Sequence, residues 1–227
     1  AAGVINGIGH FWGYRNFECS DASRNVLPWG ILIGGEELHN NHHTYPNSAK
    51  LSVRRFEFDM GWAWIRTFEV LRLAKVKKVA PKPVVARDKH TVDLDTLRAL
   101  VQHRFQVMAH YRREVIKPVF EQEKARACDA TRGLYNRAAA LLHRDQRFFK
   151  VRHTKRLTTL TEHNSTLATI YDYRLRLQEI WSQTSHSSAE MLDSLAQWCR
   201  DAEASGIHAL QDFVRTLKGY RVTPARA

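Results

Sequence analysis

Four histidines have the most chemical reach in this sequence. In GGEELHNNHHTYP, His39, His42 and His43 stand at i, i+3 and i+4, and at about 100° per residue a helix carries all three on one narrow face. His10 lies in NGIGH, with Asn6 four residues before it on the same helical face and with Gly7 and Gly9 between them to allow close helix approach. Neutral imidazole ligates zinc, copper and iron, so converging imidazoles describe a transition-metal centre. No Cys pair and no HExxH accompanies them, which argues against the commoner zinc hydrolase and zinc ribbon sites. Glu36, about one turn before His39, is placed to orient an imidazole through its second nitrogen. The competing description of HNNHH is a polar helix end or a phosphate-contacting loop. The other eight histidines, His186 among them, read as ordinary surface or satisfied core residues.

The elements that must position these residues fall into three stretches. Residues 1–45 are rich in Gly, Asn, His and aromatics. Next comes a turn-like YPNSAKLS, and then a helix that Asp59 can cap, carrying Trp62, Trp64, Ile65, Phe68, Leu71 and Leu73. Arg66, Arg72, Lys75, Lys77 and Lys78 lie on and after it. Tryptophans, aliphatics and cations together suit a membrane headgroup region, and packing on a soluble core is the alternative. The Pro-containing VAPKPVVARDKH reads as a linker, dividing the chain into residues 1–80, a connection at 81–92 and a basic helical part at 93–227. In that last part Leu97, Leu100, Val101, Met108, Tyr111 and Val115 recur at helical spacing behind a cap at Asp93 or Asp95. Similar spacing covers Leu134–Phe149, Leu167–Trp181, Ala189–Trp198 and Ile207–Leu217. No stretch alternates apolar and polar residues long enough for a sheet. The expected fold class is all-α.

The 227 residues hold 35 Lys and Arg against 23 Asp and Glu, a net charge of +12 that favours phosphate-bearing partners. Most of the surplus, 25 cations against 16 acids, lies in residues 81–227. Three scattered cysteines exclude a disulfide framework and fit the cytosol or the cytosolic side of a membrane. Nothing resembles a signal peptide, and the longest nearly uncharged apolar stretch, Asn25–Gly35, is shorter than the ~20 residues of a spanning helix. The chain opens inside an apolar run with no helix-start signal, and the expectation is a fragment whose upstream part is absent.

In three ordered blocks, NGIGHFWGYRN, GGEELHNNHHTYPNSAKLS and FEFDMGWAWIRTFEVLRLAKVKKVAP, the first 80 residues resemble the membrane-bound fatty acid desaturases, specifically the bacterial acyl-CoA or acyl-lipid delta-nine group. In that family HNNHH corresponds to the third histidine box. The resemblance implies that His10, His39, His42 and His43 bind two non-haem iron ions, His10, His39 and His42 serving one and His43 the other, with Asn6 acting through a water. It further implies an oxygen-dependent desaturase that inserts a cis double bond into a fatty acyl-CoA or acyl-lipid. Such an enzyme takes O2 and the electrons of a ferredoxin-like or cytochrome-type donor, and works in the bacterial inner membrane with its site and tail on the cytoplasmic side. The family's two earlier boxes, HxxxxH and HxxHH, do not occur in these residues, so the isolated chain is expected neither to complete the centre nor to turn over.

Phe11, Trp12, Tyr14 and Trp29 are candidates to line the inner end of an acyl tunnel, with plain core packing as the alternative. Arg15, Arg24, Lys50, Arg54 and Arg55 are candidates to neutralise coenzyme A phosphates or headgroups, and a positive-inside membrane face explains them equally well. The last 45 residues or so, around EIWSQTSHSSAEMLDSLAQWCRDAEASGIHALQDFVRTLKGY, resemble the C-terminal part of certain insertion-sequence transposases, without an acidic triad. The alternative function is therefore a helical nucleic-acid-binding or transposase-related module in which HNNHH is incidental or binds zinc. A solvated basic face describes the tail's charge better than a nucleic-acid site, and nucleic acid is not the expected partner.

Overall fold

The computed structural model describes residues 2–182 and 187–222, which leaves His186 outside, and the chain divides into two compact units, Ala1–Pro81 and Lys82–Ala227. The chain is mostly helical. Among the described residues no helix is long and apolar enough to cross a membrane.

Unit 1 contains α1 (Ala2–Gly9), β1 (Trp29–Gly30), α2 (His39–Thr44), β2 (Phe58–Asp59) and α3 (Met60–Val70). β1 and β2 pair in parallel, Trp29 opposite Phe58. Its described interior is more polar than apolar. Phe17, Cys19, Leu38 and Leu51 are buried, beside Asn16, Ser23, Asn25, Glu37, His39, Asn40, Asn41, Thr44, Glu57 and Asp59. Buried polar groups persist only when hydrogen-bonded, and Glu57 organises much of that bonding. Its Oε1 accepts from the Tyr14 hydroxyl (2.8 Å) and from the side-chain amides of Asn16 (2.5 Å) and Asn25 (3.3 Å). Its Oε2 accepts from Asn41 Nδ2 (3.0 Å) and the backbone N–H groups of Val53 (2.7 Å) and Arg54 (2.8 Å).

Asp59 caps α3 as its sequence predicts, with Oδ1 accepting from Trp62 N (2.9 Å), while Oδ2 holds the N–H groups of Leu51 (2.6 Å) and Ser52 (3.2 Å). The helix stops at Val70, short of the expected Leu73. Arg72 adopts φ +59°, its N–H donating to Glu69 O and that of Leu73 to Phe68 O, a closing pattern that satisfies the last carbonyls. No residue of α3 is buried.

Unit 2 begins within the Pro-containing stretch. Val84–Val85 form β3, antiparallel to β4 (Tyr220–Arg221). α4 (Leu94–Gln102) is capped by Asp93, which accepts from Thr96 N at 2.8 Å. α5 (Arg104–Tyr111) runs through a π turn, Arg112–Ile116, into α6 (Lys117–Arg126). Pro118 has no N–H and its ring would strike the carbonyl four residues back, and the wider turn, with Lys117 N–H donating to Arg112 O, takes up that conflict. α7 (Asp129–Ala138) is followed by the short 3-10 turns Ala139–Leu142 and Gln146–Phe148, where the spacing predicts a continuous helix to Phe149. The break falls where the Asp145 side chain takes the Arg147 N–H (2.9 Å) into a local turn.

α8 (Val151–His163), α9 (Ser165–Ser182), α10 (Ser188–Ala204) and α11 (His208–Lys218) complete the bundle, α9 packing on α6, α8 and α10. The core is built from Leu97, Leu100, Tyr111, Leu160, Ile170, Leu177, Leu195, Trp198, Phe213 and Leu217, all but sealed from solvent. Its polar atoms find backbone partners: Tyr111 Oη donates to Ile170 O (2.7 Å) and Trp198 Nε1 to Tyr173 O (2.9 Å).

Candidate metal centre

The two asparagines inside HNNHH explain how its histidines are presented. Asn40 Oδ1 accepts from the N–H groups of Asn16 (2.9 Å) and Phe17 (3.0 Å), and its Nδ2 donates to Phe17 O (3.0 Å) and Ser23 O (3.2 Å). Asn41 Nδ2 donates to Leu51 O (2.9 Å) and to Glu57, and Asn41 N–H donates to Asn25 Oδ1 (3.1 Å). One side of α2 is thereby locked into the polar interior. At helical pitch that side lies opposite the one carrying His39, His42 and His43.

α1 ends at Gly9, so His10 sits in the turn just past the helix rather than on its face with Asn6, which is exposed. Gly9 is where α1 meets α2. A Cβ there would lie 2.7 Å from His39 Cδ2, whereas one on Gly7 would meet nothing within 4 Å. The close approach brings the His10 ring to 5.3 Å from that of His39 and 5.4 Å from that of His43, while His39 and His43 stand 4.2 Å apart. One ligand nitrogen from each of His10, His39 and His43 lies within 4.8 Å of the others. His42 is outside this group, its ring 5.8 Å from His43 and 6.5 Å from His39. Its Nδ1 faces Glu36 Oε1 at 3.8 Å, an ion-pair distance too long for a hydrogen bond.

Burial, and after it the neighbouring His43, His10 and His42 rings, pushes His39 down to about 4, so the ring is neutral at physiological pH. Both of its nitrogens are buried with no hydrogen-bond partner among the described residues. His43 Nδ1 lies 2.6 Å from Asp21 Oδ2, and a histidine donating through one nitrogen keeps the lone pair of the other for a metal. Burial raises the Asp21 carboxyl, but hydrogen bonds from the Ser23 hydroxyl and N–H, from His43 and from Cys19 hold it well below the usual carboxylate range. Neutral, partnerless imidazole beside a carboxylate-oriented one is the donor set of a first-row transition metal.

Asp21 has no sequence signal of its own. It sits in a polar loop 22 residues before His43, and only the fold joins them. Glu57 gives no more warning. Of the other candidates, Trp12 and Trp29 are exposed (69% and 59%), and Phe11 is almost fully so. Tyr14 is tied to Glu57. Arg15 turns inward, its guanidinium donating to Asp21 O (2.9 Å) and Ser23 O (3.0 Å) and pairing with Glu18 at 3.5 Å. Arg24 donates to Gly13 O and Arg54 to Asn16 Oδ1.

A family model described as Transposase, DDE_Tnp_ISL3, matches residues 54–224. Over those residues the chain belongs to this transposase family. They take in nearly all of unit 2 and the end of unit 1. The chain is also similar to curated desaturases. The sn-2 palmitoyl-lipid 9-desaturase of Nostoc sp. (strain 36) is 43% identical over 79 residues, 35% of this chain and 27% of that protein. The delta-9 acyl-lipid desaturase 2 of Arabidopsis thaliana is 38% identical over 76 residues, 34% of this chain and 25% of that protein. The sn-1 stearoyl-lipid 9-desaturase of Anabaena variabilis is 34% identical over 79 residues, 35% of this chain and 29% of that protein. The similarity to these desaturases covers about a third of the chain. The chain spans about a quarter of the length of these curated relatives. No solved structure matches it.

Proposed function

We propose that unit 1 is the histidine-bearing part of an oxygen-dependent acyl-lipid desaturase centre. The observation that carries this reading is the gathering of His10, His39 and His43, with nitrogens within 4.8 Å of one another, in a segment similar to delta-9 desaturases. Non-haem iron held there would supply the oxidising power that removing hydrogens from an unactivated methylene pair demands and that side chains lack. The chain's own residues supply the frame. His10, His39, His42 and His43 are the ligands, Asn6 stands on the approach through α1, and Asp21 keeps His43 in one tautomer. Glu57 holds α2 through Asn41, and Gly9 lets α1 close on His39. Glu36 is the partner of His42.

The exposed apolar residues of unit 1, among them Phe11, Trp12, Trp29, Leu32, Trp64, Phe68 and Leu73, favour an apolar setting, since monomers in water seldom expose so many large hydrophobes together. In this reading Trp12 and Trp29 face the acyl chain, α3 lies in the headgroup layer, and a separate ferredoxin-like or cytochrome-type protein delivers electrons. Arg15 braces the Asp21 loop rather than meeting phosphate.

Two measurements test the proposal. Cobalt(II) titration of the chain, followed by visible absorption, is expected to show nitrogen-rich uptake that His39→Ala abolishes, and absence of uptake at micromolar metal would defeat it. Cells expressing a desaturase that carries these residues together with the family's two earlier histidine boxes are expected to form monounsaturated acyl chains with O2, and a normal unsaturated fraction with His42→Ala at matched protein level would count against the iron role. The transposase family match favours a second reading, action on DNA by unit 2. Among the described residues no three acidic groups of unit 2 gather as a metal site, and a strand-transfer assay distinguishes the two.

A further inference from the structure

Residues 144–156 carry six cations, Arg144, Arg147, Lys150, Arg152, Lys155 and Arg156, against one acid, Asp145. That excess is more than half of the surplus positive charge of residues 81–227. Elsewhere in unit 2 many exposed cations are answered by acids of the same chain, as Arg126 is by Glu123, Arg132 by Asp129, Arg176 by Asp201 and Arg215 by Asp212. In the strip Asp145 is taken by Arg147, and Arg144, Lys150, Arg152, Lys155 and Arg156 have no ion-pair partner among the described residues. From Gln146 to Thr161 the chain holds no acid at all. Charge spread evenly over residues 81–227 would be a solvated face. Concentrated and unanswered in this way, it creates a local field that draws an anionic partner.

Arg152, Lys155 and Arg156, at i, i+3 and i+4, are exposed and lie within an arc of about 100° around α8. Thr159, also exposed, falls inside the same arc. From Lys150 to Arg156 the helix advances by about 9 Å, the length of about three phosphates along one strand of a duplex at about 3.4 Å each. Cations and hydroxyls are side chains that donate to phosphate oxygens. Reading base edges commonly adds amides or carboxylates, and the arc holds neither. Gln146, the one amide of residues 144–156, already donates to the Tyr171 hydroxyl (2.7 Å). The strip's two rings are engaged as well, Phe148 with the Arg144 guanidinium 6.0 Å from its centroid and Phe149 edge-on to His153 at 6.1 Å. Unpaired bases would need an open ring on which to stack, whereas a duplex backbone needs none.

We propose that this strip is the surface on which unit 2 holds duplex DNA, by the phosphate backbone and without reading its sequence. The proposal rests on the transposase reading of unit 2 and adds to it the place and the mode of contact. Backbone contacts fix the position and orientation of a duplex but do not choose among sequences. The role is a holding one, consistent with unit 2 gathering no acidic metal site among the described residues. Each cation of the arc neutralises one phosphate and releases its counterions, so the strip contributes a countable share of the salt dependence of binding.

The test is binding of the 227-residue chain to two fluorescently labelled DNA duplexes of about 20 base pairs and unrelated sequence, titrated at several salt concentrations. The two duplexes are expected to bind with affinities within about fivefold of each other, less than a single mismatched pair costs a base-reading site. The triple variant Arg152→Ala, Lys155→Ala, Arg156→Ala should flatten the slope of log K against log salt by about 2–3 and weaken binding near 0.1 M salt by on the order of a hundredfold. Arg98→Ala, Arg104→Ala, Lys117→Ala, with the same net charge, should keep most of both. Arg152→Lys with Arg156→Lys retains the charges and should retain the slope, which keeps the test open if the alanine variant fails to melt like the parent. The proposal is overturned if the alanine variant, folded, or the lysine variant fails to behave so, if the control loses as much as the strip variant, or if the two duplexes differ by more than about tenfold and the strip variant abolishes the difference. It is equally overturned if a single strand, or vesicles with about 30% phosphatidylglycerol, depend on the strip more steeply than the duplexes do. Strand transfer is assayed apart from binding, so its absence with strip-dependent binding intact would count against the transposase reading alone.

Discussion

Asp21 and His43, 22 residues apart in the chain, meet at 2.6 Å between Oδ2 and Nδ1. The carboxylate is itself fixed by the Ser23 N–H (2.9 Å) and faces the Cys19 thiol (3.3 Å), so it cannot swing away cheaply. Partners of this kind typically contribute about 10–100-fold to metal affinity. Asp21→Asn is therefore expected to weaken cobalt binding by about that factor without lowering the thermal midpoint of unit 2. Unchanged affinity would show that Asp21 is only a loop brace.

Gly9→Ala tests the approach of α1 to α2. The added methyl would lie 2.7 Å from His39 Cδ2, and either ring or helix must move. Ligand sets tolerate displacements of only about 0.5 Å, so metal affinity should drop by about tenfold or more. Gly7→Ala, with open space around it, should leave the affinity alone.

Glu57→Leu removes the acceptor of six donors in the interior of unit 1. Leaving buried polar groups unanswered is expected to destabilise that unit by about 3–5 kcal/mol. Limited proteolysis should then cut within residues 1–81 at protease levels the parent chain resists, and equal resistance would contradict the role given to Glu57.

Trp198 fills the centre of unit 2 and donates to Tyr173 O. Trp198→Ala should lower stability by about 3–5 kcal/mol, read from the urea midpoint of the helical signal. A loss below about 1 kcal/mol would mean that the bundle closes over the gap.

One buried and one half-buried histidine make unit 2 sensitive to acid. Burial lowers the pKa of His103, and burial with Arg113 nearby lowers that of His110, against an opposing effect of Glu114. Below the ordinary value of 6.5 the unfolded chain binds protons that the folded chain refuses. Stability is therefore full above that pH and falls as pH drops toward the folded-state values. The urea midpoint should be lower at about pH 5.5 than at about pH 7.5, and His103→Gln should reduce the difference.

The sequence by itself determined most of the helices and the spacing of the four histidines. Asp59 and Asp93 announce helix starts because an Asp before an apolar-periodic run satisfies orphan N–H groups locally. Leu97, Leu100, Leu177 and Leu217 repeat at a spacing that has one solution, a buried stripe. HNNHH carries its own geometry because imidazoles three and four residues apart share a face. Only the tertiary structure decided which of those rings converge, placing His10 and His43 with His39 and leaving His42 beside Glu36. It alone brought Asp21 to His43 and Glu57 to Asn41. The reason is one of range. Helix propensity and capping act over four residues, whereas a carboxylate meeting a donor across 22 residues depends on loop paths that no local period encodes.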